Sequence, residues 1–410
     1  MFTPQRPVSP RSGLTVALVV MAATLAALPS LLLGGLAVLI QDEMGFGQVE
    51  LGAGVSTFFL VSVVLAVATG FFSERVGPGR ALVVGGAVTG ASFLTLGLLT
   101  TSWPTLLIGM AVGGLGFTIT MTAANHLLAQ QVPRERQGLA FGIKQAAMPL
   151  AGVLAGVALP VLALPLGWRW VFVAAAVALI PVLLAARRIP VSGSPGRRAR
   201  TGDAPVPILG LLSLGAGLGI AAASSLTTFT VVSAVTSGVA PSHAGLLLMF
   251  GSLASISVRV TSGWFADRLG RGSLLLAGGL AGIGAVGYFG LSGASVGLSI
   301  AIFTLLAYAG GWGYQGLTLL AVARTNPNAP GAAMGIFRVG PSLGGIIGPL
   351  VFGGLVEASG FGSAWLAASL AALASSVILL TTRRALVPYR RGDTLGVAGG
   401  SDSVRPEVRT

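Results

Sequence analysis

Gly70-Phe-Phe-Ser-Glu-Arg-Val-Gly-Pro-Gly-Arg80 returns 193 residues later as Gly263-Trp-Phe-Ala-Asp-Arg-Leu-Gly-Arg-Gly-Ser273. Five of the eleven positions are identical, and Glu74 corresponds to a second acid, Asp267. The same offset pairs Gly142-Ile143 with Gly335-Ile336, and Gly152 with Gly345. Distant matches at a single offset mark an internal duplication, and a duplication has to be recognised before a fold is assigned. Each copy of the motif is a short polar break between two long apolar runs.

Those runs continue along the whole chain. They lie near 14–40, 51–72, 81–100, 104–128, 137–160 and 170–186, then near 206–235, 244–266, 273–292, 297–322, 332–356 and 363–382. Each is long enough for one helical crossing of about 20 residues, which predicts an all-α membrane protein of twelve helices, numbered 1–12 in chain order. The composition agrees: 54% of the 410 residues are hydrophobic and 9% charged, against about 25% charged in a soluble domain. The first run exceeds a signal peptide's apolar core and leads into further runs, so it reads as an uncleaved helix. Cysteine is absent, which excludes disulfides and thiolate metal sites. Two histidines, His126 and His243, are too few for a multi-histidine metal site and poorly placed for a proton relay.

Arginine placement sets the orientation. With the N-terminus inside, the inner segments hold 20 arginines and the outer segments hold only Arg169. Lys and Arg accumulate in cytoplasmic loops, so both termini are expected in the cytoplasm of a cell-membrane protein. The net charge of +13 is therefore a topology signal rather than a nucleic-acid surface. The predicted organisation is a tail over 1–13, a six-helix bundle over 14–186, a polar linker over 187–206, a second bundle over 207–382 and a tail over 383–410.

Two parallel six-helix repeats with a cytoplasmic centre resemble the major facilitator superfamily of secondary transporters over nearly the whole chain. The most specific resemblance is the segment between helices 2 and 3, Gly-x-x-x-Asp-Arg-x-Gly-Arg-Arg/Lys in that family. Gly263 to Arg271 fits it well; the first copy departs with Glu74 for aspartate and Pro78 for a basic residue. Gly167-Trp-Arg-Trp-Val-Phe172 is similar to another frequent family element. The resemblance implies a conformational latch. Glu74 would face the start of helix 11 and Asp267 the start of helix 5, where helix dipoles favour an anion. Gly70, Gly77, Gly263 and Gly270 would supply the turns, and Arg75, Arg80, Arg268 and Arg271 the charge. The simpler reading is a set of topogenic arginines.

Three cations fall inside apolar runs: Lys144, the only lysine, on helix 5, Arg259 on helix 8 and Arg338 on helix 11. One such charge in hydrocarbon costs roughly 2.5–3.5 kcal/mol on insertion scales. No Asp or Glu lies in any run, so no helix-embedded carboxylate is available to pair with them. The expected partner is an anionic substrate, held by Lys144 and Arg338, with Arg259, Gln145 and Gln315 as further contacts. Some superfamily carriers of small carboxylates have an arginine resembling Arg259. Tyr308, Trp312 and Gln315 share one face of helix 10, and Thr118, Thr122 and Asn125 share one face of helix 4. In the superfamily those helices line the cavity, so Tyr308, Trp312, Thr118 and Asn125 are further candidates for substrate contact, through aromatic stacking and polar groups; interhelical hydrogen bonding explains the stripes equally well.

The expectation is a monomeric secondary transporter in the lipid bilayer, without a bound cofactor, moving a small organic anion by proton symport or anion exchange. Efflux of drugs is the first alternative, though it predicts embedded carboxylates; a neutral solute such as a sugar is the second. Gly340-Pro-Ser-Leu-Gly-Gly345 resembles a drug-antiporter element, but on helix 11 instead of helix 5, where this chain has Met148-Pro-Leu-Ala-Gly152. A membrane enzyme needs a clustered catalytic set, and none is evident. No phosphate-binding loop of the ATPase type exists either.

Overall fold

The computed structural model describes residues 10–188, 206–269, 273–326 and 330–385. These residues form helices and short turns throughout. Helix 1 is Pro10–Gly35 continued by Ala37–Met44, helix 2 is Gln48–Val64 continued by Ala66–Val76, and helix 3 is Pro78–Leu94 with a π turn over Thr95–Leu99. Helix 4 is Trp103–Gln131; helix 5 runs as Arg134–Lys144, Ala147–Ala158 and Leu159–Ala163; helix 6 is Trp168–Ala186. Helices 7, 8 and 9 are Val206–Thr236, Pro241–Leu269 and Ser273–Gly293, and helix 10 is Gly297–Gly313 followed by Gln315–Thr325. Helices 11 and 12 share Pro330–Ala385 and part at Gly360, whose φ of 81° and ψ of 173° no helix accommodates.

Ten helices among the described residues are long and apolar enough to cross a membrane. The Gly360 break divides one of them in two. Helix 2 is the remaining crossing, jointed at Leu65 into pieces of 17 and 11 residues. The 118° turn between Ala37–Met44 and Gln48–Val64 is the corner between helices 1 and 2. The chain is thus the expected all-α protein of twelve membrane helices. Gly45, Gly77, Gly167, Gly238 and Gly360 turn the chain between helices with φ from 67° to 95°, a region L side chains resist.

One boundary differs from the sequence reading. Helix 2 continues through Val76 and helix 8 through Leu269, so Gly70, Glu74, Arg75, Gly263 and Arg268 lie on helix ends and the first turn is Gly77 alone. Apolar runs register the thickness of hydrocarbon, whereas the backbone hydrogen bonds that define a helix continue into the interface. The tails, the linker from 189 to 205, Gly270 and Arg271 lie outside the described residues.

Small residues hold the helices together. A Cβ on Gly340 or Gly344 of helix 11 would meet the Ser213 or Gly217 carbonyl of helix 7 at 1.9 and 2.1 Å. Between helices 9 and 10, a Cβ on Gly310 would lie 2.1 Å from the Gly284 nitrogen. Lipid gives little hydrophobic drive to helix association, so such close backbone packing supplies it. Val67, Leu98, Val286 and Leu298 stay exposed, in the belt that hydrocarbon covers.

The two repeats meet on the face away from the arginines. Helix 2 touches helix 11 there: Ser56 donates to the Ile346 carbonyl at 2.5 Å, and Gly52 and Gly353 face the Pro349 and Gln48 carbonyls. Helix 5 packs on helix 8 through Gly156 and Gly245, and helix 1 on helix 7 through Gly34 and Thr228. Toward the arginine-rich face, Gly70, Gly142, Gly263 and Gly335 meet nothing within 4 Å. The molecule is closed at one face and open at the other.

Candidate substrate site

Helix 5 is interrupted at Gln145 and Ala146, and Lys144 closes its first segment. The cause is local. Pro149 has no N–H, so the Gln145 carbonyl four residues earlier loses its helical donor. The break turns the Lys144 ammonium toward helix 4, where Nζ donates to Asn125 Oδ1 at 2.7 Å. Lys144 is only 5% exposed. Two residues singled out separately in the sequence are therefore partners of each other.

Arg259 approaches the same break from helix 8. Its Nη1 donates to the Gln145 carbonyl at 2.8 Å and its Nη2 to the Trp312 carbonyl at 2.7 Å. Arg338 differs from both. It is exposed, and among the described residues it has no hydrogen-bond or ion-pair partner. It lines a cavity of about 150 Å3 together with Gln145, Tyr314, Gln315, Thr318 and Phe337. The Gln315 Nε2 is buried there without an acceptor. An unpaired guanidinium beside an unpaired amide, with two aromatic rings, suits a small flat molecule with one anionic end.

Trp312 and Tyr308 lie in the closed half rather than on that cavity. With Leu31, Met148, Thr227 and Ser252 they surround a constriction of about 10 Å3. Trp312 donates to the Ala223 carbonyl at 3.0 Å, and Tyr308 shares a 3.2 Å hydrogen bond with Thr230. Thr118 is buried on helix 4 and lines neither space. Among the described residues no group of His, Asp and Glu is placed to hold a metal ion.

Of the latch residues, Glu74, Arg75 and Arg80 are exposed at the open face. The Arg268 guanidinium lies 3.7 Å from the centre of the Trp264 ring. The Asp267 side chain, Gly270 and Arg271 lie outside the described residues.

Two contacts at the closed face escaped the sequence reading. Glu357, at the end of helix 11, accepts from the Val49 N–H at 2.8 Å, placing a carboxylate on the N-terminus of helix 2. Helix dipoles favour that arrangement by about 1 kcal/mol at an exposed position. Glu357→Gln is therefore expected to raise the open-to-closed ratio of this face about fivefold. The readout is the rate at which an impermeant maleimide labels Thr227→Cys. Elsewhere, Glu43 accepts from Trp168 Nε1 at 2.7 Å and pairs with Arg169, whose Nη2 also reaches the Thr100 carbonyl at 3.0 Å. The Arg169 hydrogen bond holds the Glu43 carboxyl below the usual carboxylate range. Its small contribution to stability is present above that range and is lost as pH falls through the lowered value. The available signal was the gathering of Asp42, Glu43, Glu50 and Glu357 at the arginine-poor face.

Comparison with known proteins places these features in a family. A sequence model described as Major Facilitator Superfamily matches residues 14–314 and 212–397. The tetracenomycin C resistance and export protein of Streptomyces glaucescens is 31% identical over 131 residues, 30% of this chain and 23% of that protein. The uncharacterized transporter YebQ of Escherichia coli (strain K12) is 32% identical over 132 residues, 30% of this chain and 28% of that protein. The match thus spans about a quarter of each relative's length. In three dimensions the chain is similar to a bacterial homologue of the human lysosomal transporter Spinster, in inward-facing unoccupied and occupied conformations. Each comparison has a TM-score of 0.67 and 16% identity, covering 94% of this chain and 98% of that one, which is a likeness of fold.

Proposed function

The chain belongs to the Major Facilitator Superfamily, and we propose that it is a membrane transporter that carries a small organic anion bearing one carboxylate. The observation that supports this reading is Arg338, a cation exposed in a cavity and without a counter-charge among the described residues. Lys144 donates to Asn125, and both Nη atoms of Arg259 donate to carbonyls although its Nε is buried without an acceptor. Among the described residues Arg338 is the intramembrane cation with its whole guanidinium left to receive a ligand. One free guanidinium selects one carboxylate. Gln315 and Gln145 offer amides to a second polar group, while Tyr314 and Phe337 cover an apolar body.

Transport proceeds by alternating access, the two repeats rocking about the cavity. The arginine-rich face is assigned to the cytoplasm of the cell membrane, and the state described here is then open to the inside. Closing that side over an unpaired guanidinium is unfavourable, so the loaded carrier crosses more readily than the empty one. This favours anion exchange, or symport of the anion with a proton, by a monomer. Glu74 and Asp267 latch the cytoplasmic side when it closes.

Counterflow into proteoliposomes tests the reading, with matched mono- and dicarboxylates, sugars and cationic dyes. Monocarboxylate exchange is the expected result. Sugar exchange without carboxylate exchange overturns the substrate class. A second reading, drug export, is favoured by the similarity to the tetracenomycin C resistance and export protein, and dye efflux without anion exchange would select it.

A further inference from the structure

We propose that Arg259 is a positioning residue: a tie between the two repeats that replaces the hydrogen bond Pro149 removes from helix 5. The tie is independent of which substrate is carried. A backbone carbonyl buried without a donor is seldom tolerated in a protein interior, least of all in a membrane. Pro149 leaves the carbonyl of half-buried Gln145 without its helical donor, and the donor that meets it comes from the other repeat.

The geometry uses the guanidinium as a fork. One Nη reaches the interrupted helix 5, and the other reaches Trp312, beside the interruption of helix 10 at Tyr314. A planar fork spans two carbonyls at fixed separation; an ammonium, as a point donor, does not hold them in one geometry. The position along the helices also matters. On one side of Arg259, helices 5 and 8 are in backbone contact, with a Gly156 Cβ only 2.5 Å from the Met249 nitrogen and a Gly152 Cβ 2.3 Å from Ser252 Oγ. On the other side, Gly142 and Gly263 face open space and Val260 is exposed. Arg259 is therefore at the point where the seam between the repeats ends and the opening begins. Held there, the break in helix 5 keeps Lys144 on Asn125 and directs Gln145 into the cavity beside Arg338. Arg259 acts on the ligand site through these neighbours and is not itself a ligand in this state.

The chain has no cysteine, so spin labels placed at Gln130→Cys and Ala323→Cys report the width of the opening directly. In lipid nanodiscs without substrate, Arg259→Gln is expected to at least double the breadth of the label–label distance distribution. It is also expected to lower the melting temperature by about 5 °C. Pro149→Ala restores the missing N–H, so the double variant Pro149→Ala/Arg259→Gln should recover at least half of both losses. That rescue separates a tie from a ligand, because a ligand-binding arginine is not replaced by a repaired helix. An unchanged distribution in Arg259→Gln overturns the proposal, as does a double variant no better than the single one. Should Arg259→Gln fail to fold, recovery of folded protein in the double variant supports the tie. Failure of both variants while Pro149→Ala alone folds rejects it.

Discussion

Arg338→Ala is expected to reduce monocarboxylate counterflow between about thirty- and several-thousand-fold, with normal yield and melting temperature. The estimate comes from truncating one partner of a desolvated, hydrogen-bonded charge pair, which costs roughly 2–5 kcal/mol, at 1.4 kcal/mol per tenfold. Stability should change little because Arg338 has no partner among the described residues and faces the cavity. Arg338→Lys keeps the charge but loses the bidentate fork, so its loss should be about tenfold. Lys144→Ala should do less to affinity and more to stability, since it strips Asn125 of its buried donor. Initial rates over a range of substrate concentrations separate these cases. Counterflow at unchanged rate and affinity in Arg338→Ala would remove Arg338 from the site.

The contrast among the three cations shows what a sequence discloses and what it hides. Twelve crossings and their duplication are written locally, in runs of apolar residues and in glycines at the turns. The depth of Lys144, Arg259 and Arg338 follows from their place in those runs. Their partners do not. Helical spacing puts Asn125 on a face of helix 4 but cannot say that the occupant of that face is Lys144, because the contact depends on how helix 5 breaks. Arg259 bonds main-chain carbonyls, which every residue has, so no side-chain pattern points to them. The one legible hint was Pro149, four residues beyond Gln145. The stripe of Tyr308, Trp312 and Gln315 likewise divides in space. Gln315 follows the break in helix 10 and reaches the cavity, while Tyr308 and Trp312 precede it and line the closed constriction. A continuous 3.6-residue repeat conceals that division.

The seam between helices 2 and 11 should behave as a gate, and a single methyl-bearing carbon is enough to prop it open. A Cβ on Gly52 would lie 2.2 Å from the Pro349 carbonyl oxygen, and one on Gly353 would lie 2.2 Å from that of Gln48. Both obstacles are backbone, so neither can rotate aside. Both contacts join one repeat to the other, so opening the seam relieves the clash without disturbing packing inside either repeat. Overpacking at a well-packed contact costs typically about 1–3 kcal/mol and occasionally more. A Cβ this deep inside an immobile carbonyl places valine at the upper end, enough to shift a two-state equilibrium at least tenfold toward the open seam. Gly52→Val and Gly353→Val are each expected to abolish counterflow. They should also raise labelling of Thr227→Cys by an impermeant maleimide, applied to the arginine-poor face, at least tenfold. Gly354→Ala, with nothing within 4 Å, and Gly345→Ala, which meets the movable Phe59 ring at 3.5 Å, are the controls and should transport normally. If the valine variants are poorly folded, Gly52→Ala and Gly353→Ala should show the same increase in labelling at smaller amplitude. Folded variants that transport at the parental rate, with Thr227→Cys still protected, would mean that helices 2 and 11 are fixed to each other throughout the cycle and that the gate lies elsewhere.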